Sequence, residues 1–202
     1  MESWFAIGAA LGLAGGLSPG PMTALVLTQT LQFGTREGLK VALAPVLTDG
    51  PLLLLTAWLA HGLSGADTLL GMISLGGAVF LSMLARESWH ATPPSAGGEA
   101  GSLRKALMTN VLNPHPYVFW LTVGGPTVAR SWEADAWMGP LAFCLGFFAF
   151  LCGSKAVLAT LVGRYSEHVV GRPYRWIMRG LALVMVGFAV AFLYDGISRL
   201  TG

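Results

Sequence analysis

Charge is what this chain of 202 residues has least of: only 11% of it is Asp, Glu, Lys or Arg, where a soluble domain carries about a quarter. With 54% hydrophobic residues and a mean hydropathy of +0.64, most of its surface must face something other than water. It also lacks any imbalance of sign. Lys and Arg number 12 against 10 Asp and Glu, a net charge of +2, which excludes the strongly basic surface that nucleic-acid binding needs. Cys144 and Cys152 are the only cysteines. Both fall in one apolar run, where helical spacing holds them too far apart to bridge, so they read as small buried side chains. No nucleophile–base pair and no metal-ligand motif is present. Enzyme readings are therefore not favoured, and neither a cofactor nor a resident metal is expected. The N-terminus has no basic leader, and its apolar stretch runs on past Gly15 and Gly16 to Leu31. No cleaved signal peptide is expected.

What the chain has is apolar runs of membrane length, roughly 20 residues each. Six are expected, at about 4–33, 36–60, 68–85, 103–129, 137–162 and 173–197. The stretch 89–102, rich in Pro, Ser, Gly and Ala, reads as the linker between two halves. The expected architecture is an all-α integral membrane protein, one transporter domain over 1–202. Repeat 1 covers about 1–88 and repeat 2 about 103–202. Three helices per half force the halves into opposite orientation, so repeats would be inverted repeats.

Two proline motifs interrupt the first and fourth runs. Ser18-Pro19-Gly20-Pro21 breaks one and Asn113-Pro114-His115-Pro116 the other, and Leu17, Ser18, Pro19 and Pro21 match Leu112, Asn113, Pro114 and Pro116 at one constant offset. Each proline removes a backbone donor and wedges the helix. In hydrocarbon such a break survives only where protein or a water-filled cavity satisfies the freed groups. Unpaired N–H groups after each break attract a carboxylate, and unpaired carbonyls before it attract a cation. Paired breaks in corresponding places are thus the expected binding site for a zwitterion. A simple kink is the plainer reading of either motif alone.

Polar residues cluster near these breaks. Asn110 and Asn113 share a helix face, where their amides can satisfy freed backbone or contact a solute. His115 can relay a proton or simply bond a freed carbonyl. Asp49, at the centre of the second run, is a functional candidate by default, because a lone carboxylate in hydrocarbon costs several kcal/mol. Lys155 in the fifth run can snorkel toward the interface or reach Asp49, and protonating Asp49 would then break the pair. A static ion pair competes with that proton-coupling role. Tyr117 and Trp120 share a face and can wall a pocket, or merely pack. Thr23, Thr28, Gln29, Thr30 and Gln32 suit either a wetted path or interhelical hydrogen bonds. Gly8, Gly12 and Gly16 form a bare stripe for a close neighbour, within the chain or in a homodimer.

Lys and Arg counts give orientation. Arg130 and Arg199 fall on the side of the termini. Arg36, Lys40, Arg86, Arg104, Lys105, Arg164, Arg172, Arg175 and Arg179 fall on the other. The second side is expected to be cytoplasmic, with both termini outside an inner (plasma) membrane. Trp4, Trp58, Trp132 and Trp137 then mark the outer interface, and Trp89 and Trp176 the inner one.

The chain resembles the lysine-exporter (LysE-type) translocators, through Pro19-Gly20-Pro21, Gly34 with Gly38-Leu39, Asp49, Gly77, and Leu112-Asn113-Pro114 followed by Phe119 and Pro126. The resemblance implies a six-helix inner-membrane exporter of small solutes, typically amino acids, exchanging with protons and often dimeric. Departures are His115 where the family usually has Lys, Phe80-Leu81 where it has Tyr-Leu, and Lys155 itself. They mark a branch that does not carry basic amino acids. A divalent-metal exporter is the alternative, but it would want clustered Asp, Glu or His, and only Asp49 and His115 qualify. An intramembrane redox conductor would want cysteines at the breaks, which hold none. The expected partners are a small solute, protons and the lipid bilayer.

Overall fold

The computed structural model describes residues 2–18, 20–59, 66–90, 101–165 and 172–201, and within them the chain is all helical. Pro19 and nearly all of the expected linker lie outside the described residues. Helix α1 spans Glu2–Leu17 and α2 Pro21–Phe33, with α3 following at Thr35–Leu59. Helix α4 spans Ala66–Trp89. The fourth apolar run becomes α5 (Ser102–Val111), α6 (Pro114–Phe119), a π-helical turn (Trp120–Gly124) and α7 (Gly125–Asp135). Helices α8 (Met138–Tyr165) and α9 (Arg172–Thr201) complete the chain.

Each boundary has a local cause. Gly20 is extended, and Pro21 opens α2 at the position where a missing N–H removes nothing from the helix. Gly34 ends α2 at φ 90°, a left-handed conformation that glycine adopts without strain, and its N–H still bonds Thr30 O at 2.9 Å. α3 can then start at once in a new direction. α5 closes with a tight turn, Asn113 N–H to Asn110 O at 3.2 Å. Asn113 then turns extended and caps α6 through its side chain, with Pro114 first in that helix. The π turn was not foreseen. It lies just before Pro126, which lacks the N–H a regular helix would use, and Gly124 gives the Trp120 ring its room: a Cβ there would strike the indole.

By length and composition, α8 and α9 are each able to cross a bilayer, and α1 with α2, bent by 63° from one another, meet the same test only when taken together. α3, at 25 residues, is also long enough, at about 37 Å, to reach across the hydrocarbon. The bundle's exterior is apolar: Val79, Leu183 and Val190 are 65%, 61% and 60% exposed. The interior by contrast hides Thr28, Gln29, Thr30, Asp49, Asn110 and Lys155. That inversion of the usual pattern fits a lipid solvent.

The most extensive interfaces pair α1 with α8 and α4 with α9. The glycine stripe of α1 makes the first of these. A Cβ on Gly8 would meet the Phe143 carbonyl oxygen, one on Gly12 that of Phe147, and one on Gly16 Ser154; Gly146 of α8 returns the approach against Phe5 O. The stripe therefore serves packing within the chain. α3 runs through the middle, touching α2, α5 and α8. One apolar cluster, with Leu25, Val26, Val41, Leu81 and Met185, fills the end built by α2 and α5. A second, with Leu52, Trp120, Phe143 and Phe147, fills the end built by α1 and the π turn.

Candidate functional site

Between these two clusters lies a cavity of about 520 Å³. Ser18, Gly20 and Pro21 from the first break line it, and so do Asn113, His115 and Pro116 from the second. The two interruptions that the sequence placed at matching positions thus open onto one space. Asp49 of α3, Asn110 of α5 and Lys155 of α8 line it too. The lining extends along α1 to Leu11 and along α6 to Phe119, but on α2 it stops at Thr23 and on α5 at Asn110. The remainder of α2 is closed over: Thr28, Gln29 and Thr30 are buried, and Ser102 of α5 donates to Gln29 Oε1 at 2.7 Å.

Lys155 spans the first break. Its ammonium donates to Gly16 O at 3.0 Å and to Thr23 Oγ1 at 3.1 Å. The Thr23 hydroxyl in turn donates to Ser18 O at 2.9 Å. One side chain from α8 thereby joins the carbonyl end of α1 to the amino end of α2. A cation is well placed there, since the last carbonyls of a helix carry partial negative charge.

Asp49 belongs to the second break. Asn110 Nδ2 donates to Asp49 Oδ1 at 2.6 Å and to Thr48 Oγ1 at 2.5 Å, and Thr48 Oγ1 lies 3.2 Å from the same carboxylate oxygen. Asn113, one turn on, accepts from His115 N–H at 3.1 Å. The two asparagines divide the work. Asn110 orients the carboxylate, and Asn113 satisfies a backbone donor that the break frees. His115 is exposed at the cavity, its ring edge-on to Phe192 at 5.8 Å.

Several expected placements differ in the structure. Asp49 and Lys155 share the cavity but form no ion pair: Asn110 of the opposite half takes up Asp49, and Gly16 and Thr23 of the opposite half take up Lys155. Trp120 is fully buried and stands behind the wall, edge-on to Phe119 and Phe147 and tilted against Phe148. Its indole N–H lies by Asp49 yet closes no hydrogen bond. Tyr117 turns its hydroxyl to Val111 O at 2.8 Å, away from the cavity. Pro114 is buried and outside the lining, and Pro19 is outside the described residues.

Among the contributors that the sequence does not single out are Thr48, Phe147 and Phe188. Thr48 helps hold Asp49, and its signal was a hydroxyl beside a carboxylate in an apolar run. Phe147 and Phe188 wall the cavity, and nothing separates them in the sequence from the other phenylalanines of α8 and α9. Among the described residues, no three of His, Cys, Asp and Glu stand close enough together to hold a metal ion.

Compared with known proteins, the chain matches a family model described as LysE type translocator over residues 13–196. No curated protein and no solved structure matches it.

Proposed function

The chain belongs to the LysE type translocator family, and on that premise we propose that it is a proton-coupled secondary exporter of a small zwitterionic solute, an amino acid in the first instance. Family membership supports a membrane transporter, rather than an enzyme, that exports amino acids or related solutes. The observation that carries the finer reading is the single cavity onto which both helix breaks open, with a buried carboxylate and a buried ammonium in its wall. Ser18, Gly20, Pro21, Asn110, Asn113, His115 and Pro116 form the substrate-binding surface, with Pro19 and Pro114 shaping the breaks and Trp120 backing Asp49. Asp49 takes up the proton, and His115 stands where a proton would enter.

Six membrane crossings, as two inverted three-helix repeats, complete the proposal. The packing supports it. Exchanging first with fourth, second with fifth and third with sixth segments maps α1 on α8 to α5 on α3, α2 on α3 to α7 on α8, and α2 on α9 to α6 on α4. All of these are observed neighbours. Alternating access then moves the halves about the shared cavity. The arginine distribution sets α2 and α5 toward the cytoplasm of a cell bounded by this inner membrane, so the structure is outward-facing, open along α1 and α6 and closed along α2 and α5.

A proteoliposome flux screen tests the function, with amino acids and divalent metals offered with and without a pH gradient. Saturable amino-acid exchange, accelerated by the gradient, is expected. Metal flux with no amino-acid flux would replace this reading with a metal exporter.

A further inference from the structure

Among the described residues, Asp49 and Lys155 are the only Asp, Glu, Lys or Arg side chains lining the cavity. Each is only 4% exposed, and each is bonded solely to neutral groups. The ammonium has a carbonyl and a hydroxyl, the carboxylate an amide and a hydroxyl. Buried charges are as a rule paired. Here two of opposite sign share one cavity without meeting. An ammonium has three donors, and the protein engages two of Lys155's, leaving the third for whatever enters. Asp49 Oδ2 likewise accepts no hydrogen bond from the protein within the described residues.

We propose that Lys155 is the specificity-determining residue of this site, the anchor for the solute's carboxylate, which restricts export to amino acids with uncharged side chains. The inference rests on the exporter reading above and deepens it. A neutral amino acid brings one carboxylate for Lys155 and one ammonium for Asp49, and leaves no charge over. Lysine or arginine brings a second cation that finds no second carboxylate in the wall. Glutamate or aspartate brings a second anion with no second ammonium. An amino-acid methyl ester lacks the group that Lys155 would hold. The sequence reading that this branch does not carry basic amino acids acquires a physical cause in a residue from α8, outside both proline motifs.

The competing role for Lys155 is mechanical, a clamp that spans the first break. Thr23 separates the two. Thr23→Val removes the second bond of the clamp and leaves every charge in place, whereas Lys155→Met removes the charge at similar length. Lys155→Arg restores it.

The test is counterflow in proteoliposomes with L-alanine, L-threonine, L-leucine, L-lysine, L-glutamate and L-leucine methyl ester, each variant first checked for monodisperse elution and wild-type helix content. Wild type should exchange neutral amino acids and discriminate against lysine, glutamate and the ester. Lys155→Met should lose neutral exchange by roughly ten- to hundredfold, the worth of one charge-assisted hydrogen bond, and lose its preference for leucine over the ester. Lys155→Arg and Thr23→Val should keep the wild-type order of preference. Overturning results are a Lys155→Met protein with unaltered preference, a Thr23→Val protein as impaired as Lys155→Met, or wild type carrying lysine as fast as leucine. If Lys155→Met fails to fold, Lys155→Gln takes its place: loss of the leucine-over-ester preference in that variant decides for the anchor, and its retention decides against it. In each of these cases amino-acid transport itself survives and the exporter reading stands. Wild type that moves none of the amino acids would overturn both.

Discussion

A carboxylate that takes up and releases a proton must tolerate both states, and the surroundings of Asp49 suit that demand. Its hydrogen-bond partners among the described residues are an amide and a hydroxyl, both on Oδ1, and these can accommodate either form. Asp49→Asn should therefore fold, weaken substrate counterflow and lose the acceleration given by a pH gradient. Gradient-driven flux equal to wild type would take Asp49 out of proton coupling. A second prediction at this scale concerns packing. Gly12 lies against the Phe147 backbone with no space for a Cβ, so Gly12→Val should destabilise the protein by about 1–3 kcal/mol. It should lower the thermal midpoint in detergent and leave the order of substrate preference unaltered in the folded fraction. Trp120 shows how far residue-level reading can mislead. Its place three residues after Tyr117 was legible, but not that the π turn would roll the indole behind the wall.

Among the elements, the broken helices decide what the site is. Pro21 and Pro114 each stand first in a new helix after an extended residue, Gly20 or Asn113. Pro114→Ala with Pro116→Ala restores two backbone donors and permits α5 to continue into α6. Such a protein should remain helical and lose most of its exchange activity; undiminished exchange would mean that the second break is not required for transport. Asn113→Ala keeps both prolines and removes the cap on His115 N–H together with one amide of the cavity lining. It should cost about 1 kcal/mol at that helix end and reduce exchange less than the double proline variant does. The breaks themselves could be read in advance, since proline chemistry is local. The glycine stripe was legible as a close contact, but not its partner: only the α1–α8 crossing shows that the stripe is used within the chain.

For the whole molecule, the expected behaviour is exchange between two arrangements of the same halves. In this one the cavity includes Ala14 of α1, while Gln29 of α2 is sealed against Ser102 of α5. In a background with Cys144 and Cys152 replaced by serine, Ala14→Cys should react with a membrane-impermeant thiol reagent added outside, and Gln29→Cys should be protected. The reverse pattern would invert the proposed orientation or the assigned state.

Sequence alone determined the features that depend on neighbours along the chain. These are the helical class, the apolar exterior, the two interruptions and the oddity of Asp49 and Lys155, because backbone donors, proline rings and charges in an apolar run carry their consequences locally. Tertiary structure decided which of these meet. Lys155 goes to the first break and Asp49 to the second, where neutral groups meet each of them. A cavity between them, rather than a salt bridge, is the result of how α8 and α3 cross, and helix crossings are set by surfaces far apart in the chain.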